Sequence, residues 1–543
     1  MKHRFTAFFL AGLLAGTAGA AQAQCTEQTR VRLSFDDARG DLLRAAAIRG
    51  ALERTPMFFY REQDEHLVCL DSIPLLRDWV PPRDSTMFEI LAPSSRFTIH
   101  TEYPRERNNG GLVETVGLNA AVDFGIAARW KWFSAVFAPR LTYQQNDFFP
   151  VPETNWAGRS QWANPYHFSI DLPKRFGSSG WSEFQWGATR IQAEYGPVSA
   201  GFSTANMWVG STRLFPLMMS NTAPGFPHAF VSVRPFSAWI TDIEINSFWG
   251  QVSESDYFDG DVTNDQHVIT GFQVGFAPHF IPGLQFGFAR VYHDVEDFGE
   301  AGIGGLLEMT WDSPFFTGGG NRRGNAIGFL YGRFVLPESG FEVFGEWSRE
   351  DTPYNLEDIF REPDWTQAYA LGFQKLIQHD RSMSSFWGEL VHLGLSKPTF
   401  LGHGDFSMYT HSAVRQGHTH RGQILGAAVG PGSDAQTLGF DHIRQRSRAG
   451  IFIERTRYDD DTYYRYFSRR YGEARHQVEL TIGGNYLHRL GAFEVEGGVN
   501  WSMRYDRDFM ALVVADPPKD VQHNWNPWFR VSWRPELVAP LLP

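Results

Sequence analysis

From about Arg96 to the C-terminus, apolar residues recur at every second position, and that alternation limits what the chain can fold into. Leu118, Ala120, Val122, Phe124 and Ile126 alternate with Gly117, Asn119, Ala121, Asp123 and Gly125. Phe341, Val343, Gly345 and Trp347 are interleaved with Glu342, Phe344 and Glu346, and Phe493, Val495, Gly497, Val499 and Trp501 with Glu494, Glu496, Gly498 and Asn500. Val478, Leu480 and Ile482 follow the same rule. Each run is a strand with one apolar and one polar or Gly face. Two architectures use such strands. In a soluble sandwich the apolar face meets a second sheet; in a transmembrane barrel it meets lipid and the polar face turns to the lumen.

Three features favour the barrel. The strands continue without a composition break. Aromatics cluster at strand ends (Trp130, Trp132 and Phe133; Trp181, Phe184 and Trp186; Trp525, Trp528 and Phe529), as interfacial girdles require. The chain also opens like an exported protein: a basic start at Lys2, His3 and Arg4, an apolar run from Phe5 to Ala20, and Ala21-Gln22-Ala23 as a cleavage site. Roughly 25 residues per strand and connection allow about 16 to 20 strands, a wide closed barrel. Asp123, Glu494 and Glu496 lie on the polar parity and are expected to point inward, because a charge on the lipid face costs up to ~2–4 kcal/mol. Phe529, Val531 and Trp533 form the expected closing strand, although ten residues follow it. The division is therefore a signal peptide over 1–23, an N-terminal periplasmic segment over 24–90, and an outer-membrane barrel over 91–543.

The N-terminal segment reads differently. Asp37 to Arg54 places Leu42, Leu43, Ala46, Ala47 and Ala51 at helical spacing. The only two cysteines, Cys25 and Cys69, both follow the cleavage site, and an oxidising compartment makes a disulfide between them the first expectation. Lys+Arg 49 against Asp+Glu 61, with no basic block, excludes nucleic acid as a partner. The sequence carries no G-x-S-x-G, H-E-x-x-H or Walker loop, so no catalytic residue, metal or cofactor is assigned. A hydrolase with partners distant in sequence stays open as a third class.

The string from Thr204 to Gln251 resembles the Wzi-like capsule-assembly family of outer-membrane proteins. Trp208, Gly210, Ser220, Asn221, Ala223, Pro224, Gly225, Phe226, Pro227 and His228 carry the resemblance, followed by Arg234 and Pro235. The strand Phe341 to Asp351, the run Ala368 to Gly372, the segment Gly388 to Leu393, and Tyr409 to Phe440 add further patches. The resemblance implies an eighteen-stranded barrel with a small helical part on its periplasmic side. It also implies a non-catalytic lectin that anchors capsular or exported polysaccharide. Independently of it, Ser220 to Pro227 cannot be a regular central strand, since Pro224 and Pro227 remove donors. It is expected to form a rigid turn or inward fold anchored by Trp208 and Phe226.

Sugar binding needs aromatic faces for stacking and charged groups for hydroxyls and uronates. Three segments supply both. Phe315 to Asn325 carries Arg322 and Arg323; Arg444, Arg446 and Arg448 recur at period two beside His442; and Arg455 to His476 interleaves Tyr458, Tyr463, Tyr464, Tyr466 and Tyr471 with Arg465, Arg469, Arg470 and Arg475. The last is the preferred site, with surface polysaccharide, membrane lipid and lipopolysaccharide as expected partners. The competing function is a diffusion channel for small hydrophilic solutes, because wide barrels conduct unless plugged. His403, His411, His418 and His420 lack a third ligand at fixed spacing, and Asp459-Asp460-Asp461 lacks the spacing of a calcium loop.

Overall fold

The computed structural model describes residues 28–35, 38–52, 56–69, 75, 79, 88–105, 107–154, 156–311, 324–350, 356–361, 364–396, 407–513 and 520–534. Antiparallel strands from Phe88–His100 to Val521–Trp533 form one closed sheet. Two of its staves are broken. Phe133–Phe137 and Arg140–Gln144 both pair with Gly117–Trp130, and they face Arg190–Tyr195 and Trp181–Gln185 respectively. Counting each broken stave once gives a barrel of eighteen strands. The last strand closes on the first, with Trp528↔Thr98 through Ser532↔Ser94 in register.

Parity decides which side each residue takes. Leu118, Val122, Phe124 and Ile126 stand on the outer wall, whereas Asn119 and Ala121 are buried. Closure pairs the backbone and leaves an apolar exterior, the form in which strands cross a bilayer. Glu494 and Glu496 point inward onto Arg489 and Arg530, and Asp123 meets Arg140 at 2.6 Å. The girdle is only partly as expected. Trp130, Trp132, Phe184, Trp186, Trp525 and Phe529 are exposed, but Trp528 falls on the opposite parity and lies under the Arg96 guanidinium at 5.3 Å. Trp181 packs on Phe176.

One end has tight hairpins, with two-residue turns at Lys131-Trp132, Gly196-Pro197, Trp239-Ile240 and Gly491-Ala492. The first residue of each turn has positive φ, matching the twist of the flanking strands. The other end carries long connections, among them 145–180, 204–227, 393–433, 458–477 and 506–520.

The N-terminal part docks at the tight-hairpin end. Gln28–Arg32 pairs with Glu65–Cys69. The helix α1, Ala38–Ile48, is shorter than the sequence pattern suggests, because the chain turns at Gly50 with φ 67°. Leu42, Leu43, Ala46 and Ile48 form a core with the wall residues Val335, Leu376, Met383 and Ile443. Cys69 ends its strand, and Cys25 lies outside the described residues.

Candidate functional site

The barrel's interior is occupied by its own chain. Gly210 to Leu217 enters the lumen, where a strand cannot continue and amides need other acceptors. Two wall carboxylates provide them. Glu346 accepts from the amides of Ser211 (2.6 Å), Thr212 (2.9 Å) and Leu217 (2.9 Å). Glu389 accepts from those of Arg213 (2.7 Å) and Phe215 (2.7 Å). A third, Glu244, takes the Met57 amide at 2.8 Å. From the tight-hairpin end, Phe59–Arg61 pairs with Met207–Val209, so N-terminal and inward segments form one plug. Phe58, Val209, Phe215, Leu217, Met218, Ile424 and Leu425 pack with the wall residues Phe230, Phe248, Ile327 and Phe329 in a continuous apolar core.

The Ser220–Pro227 segment belongs to this plug. Asn221 is buried and accepts from Asn206 at 2.8 Å. Ser220 Oγ donates to Thr222 at 3.1 Å. Phe226 packs against Phe248, His228 and His420. Pro224 is buried and Pro227 exposed. A β-carbon on Gly225 would lie 1.9 Å from the Thr204 carbonyl oxygen, so only glycine fits. Trp208 donates to the Thr212 carbonyl at 3.1 Å and packs on Phe35.

At the long-connection end, three loops are stitched together over the lumen. His167 joins Asp459 at 2.7 Å, Lys174 joins Asp508 at 2.9 Å, and Arg475 forks onto Asp506 at 2.9 and 2.6 Å. Tyr463, Phe467, Phe509 and Leu512 are the apolar centre. Burial alone would raise the Asp508 carboxyl, but Lys174 and Arg507 outweigh it and hold the group well below the usual range. Burial likewise opposes charge on His476, yet Asp460 (2.8 Å) and Glu473 (3.1 Å) raise its pKa.

This clasp sorts the Tyr/Arg segment. Tyr463 is buried, with its hydroxyl on the Gly472 carbonyl. Tyr471 is half-buried, donates to the Leu512 carbonyl at 3.0 Å and lies under Arg470 at 5.2 Å. Tyr464, Tyr466, Arg469 and Arg470 are exposed on one short helical stretch. Ring faces beside guanidinium groups suit stacking on a sugar and bonding to a carboxylate.

The other candidate segments fare differently. Arg322 and Arg323 lie outside the described residues. Arg444, Arg446 and Arg448 do not share a surface: a tight hairpin intervenes at the opposite end of the barrel, and Arg448 is buried against Asp441 (3.0 Å) and Asp41 of α1. His418 meets His293 at 2.9 Å and the Met218 carbonyl at 2.7 Å, and His420 accepts from the Ser253 amide. Asp459, Asp460 and Asp461 hold His167, Arg457 with His476, and the Leu395 amide respectively. Among the described residues no three potential ligands gather around a common metal position. Sequence reasoning missed the amide-catching roles of Glu346 and Glu389, although both sit on strands it had singled out; their acidic side chains at inward parity were the available signal.

What the fold defines is a plugged eighteen-stranded barrel. The barrel fold is similar to that of Wzi, described as an outer membrane protein involved in group 1 capsule assembly in Escherichia coli and as a carbohydrate-binding β-barrel. That likeness has 11% identity, covers 92% of this chain and 99% of that one, and has a TM-score of 0.57. OccAB2 of Acinetobacter baumannii (9% identity, 82% of this chain, 98% of that one, TM-score 0.38) and OprD of Pseudomonas aeruginosa (6%, 82%, 92%, 0.39) are also similar. No family profile and no curated protein sequence matches the chain. At these identities the likeness concerns the fold.

Proposed function

We propose that the protein is an exported outer-membrane barrel that binds and anchors capsular or exported polysaccharide at the cell surface, without turnover. The observation that carries this reading is that exposed aromatic and guanidinium groups stand at the long-connection end of a barrel whose lumen is occupied. Long connections face outward in barrels of this type, which puts Tyr464, Tyr466, Arg469 and Arg470 outside, and Tyr471 holding the helical stretch beneath them. The apolar wall meets membrane lipid, and lipopolysaccharide borders the outer loops. On this reading residues 1–23 are the signal peptide, 24–90 the periplasmic part and 91–543 the barrel. The fold shared with Wzi, itself described as carbohydrate-binding, supports it.

The test compares surface glycan on cells with the wild-type protein, without it, and with alanine at Arg469, Arg470 and Tyr471. Loss of retention in the variant, with the barrel still heat-modifiable on gels, is expected. Unchanged glycan on cells lacking the protein overturns the proposal. The rival channel function predicts a steady conductance in planar bilayers, and the occupied lumen argues against it.

A further inference from the structure

We propose that a cavity at the tight-hairpin end is an anion-binding site, built around Arg61 and taking a phosphate- or carboxylate-bearing small molecule. Arg61 is 2% exposed. It lines a cavity of about 230 Å³ together with His66, Arg190, Ser232 and Asn246. Its Nε and Nη2 are buried and have no hydrogen-bond partner among the described residues, and the same holds for His66 Nε2 and Ser232 Oγ. Buried guanidinium groups are ordinarily paired, so this constellation lacks an acceptor.

The neighbouring carboxylates are already engaged. Asp64 is held by Arg190, Glu65 by Arg32 (2.7 Å) and Arg129 (2.7 Å), and Glu244 by the Met57 amide. Glu194 accepts from Gln192 at 2.6 Å and lies near Arg129 and Arg234. The guanidinium of Arg61 lies over Phe230 at 3.9 Å and Phe59 at 5.2 Å. Those rings steady a cation but offer no lone pair in the plane of its N–H groups. Burial lowers the Arg61 pKa to about 10, which leaves it charged at neutral pH. Arg61, Ser232 and His66, each with an unpartnered buried polar atom, border this one cavity, and an oxyanion drawn in among them would supply the acceptor that the guanidinium lacks.

The inference is independent of glycan retention at the opposite end. It is tested by calorimetric titration of the purified full-length protein in detergent at constant ionic strength. The titrants are sodium phosphate, sodium glucuronate and, as neutral control, glucose. Saturable binding of at least one anion and none of glucose is expected, with at least a tenfold weaker Kd in Arg61→Met. Preference between the anions tells a phosphate source from a uronate source. Should Arg61→Met fail to fold, Ser232→Asp replaces the missing acceptor from the wall; it is expected to fold, resist heat better than wild type and lose anion binding. No saturable binding by wild type, or undiminished binding by whichever variant folds, overturns the proposal.

Discussion

A β-carbon on Gly210, which has φ of 140°, would lie 2.2 Å from Oε1 of Glu346. Barrel wall and plug therefore touch at a residue with no side chain, and the carboxylate caps the amides that follow. Gly210→Ala brings both a clash and a strained backbone. A loss of about 2–4 kcal/mol is expected from the two together, read as a lower temperature of heat-modifiability on gels. A variant as heat-resistant as wild type would mean that the plug is not held there.

Removing the acceptors should do more. Glu346→Ala with Glu389→Ala orphans six plug amides, those of Ser211, Thr212, Arg213, Leu214, Phe215 and Leu217, each costing about 1–3 kcal/mol if left unsatisfied in the interior. The barrel itself keeps its ladder, so the expected result is a displaced plug in an intact cylinder. Planar bilayers should record open-channel currents from the double variant and quiet membranes from wild type. A silent double variant that still folds would place the seal elsewhere.

Alkaline pH should loosen the clasp over the lumen. Asp460 and Glu473 raise the His476 pKa against its burial, so the stabilisation is complete below the unfolded value of about 6.5 and is lost as pH rises through the raised folded value. Arg457 opposes the protonated ring, and Tyr463 lies tilted against it with ring centroids 4.1 Å apart, its hydroxyl kept neutral at these pH values because burial raises its pKa. Amide exchange over 458–477, corrected for its intrinsic rate, should accelerate from pH 6 to pH 9. His476→Gln should flatten that dependence; an identical profile in the variant would remove His476 as the cause.

The bridge proposed between Cys25 and Cys69 would close a loop that contributes about 4 kcal/mol through loop-closure entropy. Non-reducing peptide maps should contain a cross-linked pair, and Cys69→Ser should free the N-terminal segment to proteases. Two singly alkylated cysteines in the unreduced protein would refute the bridge.

How much of this was readable before the structure depends on the residue's surroundings. Leu118 to Ile126 and Phe493 to Trp501 announce strands because one face meets a uniform medium and the pleat repeats every second residue. Trp528 misled for the same reason: its parity, not its chemistry, sends it inward beneath Arg96. The plug was legible only as an exception, in the prolines at 224 and 227 that no central strand admits. The docking of Gly210–Leu217 on Glu346 and Glu389 joins positions over a hundred residues apart, and no local pattern encodes such a meeting. Arg444, Arg446 and Arg448 failed as a site because a hairpin turn interrupts their period.

The joint between Ser94–Thr98 and Trp528–Ser532 sets an order of events. It links the two ends of the sheet, so it forms only after the whole chain has been delivered. Among the described residues, those that fill the interior lie between those ends or just ahead of them in sequence. Closure of the wall waits on Val521–Trp533, and a chain that stops short of that strand has the filling segments but two unpaired sheet edges.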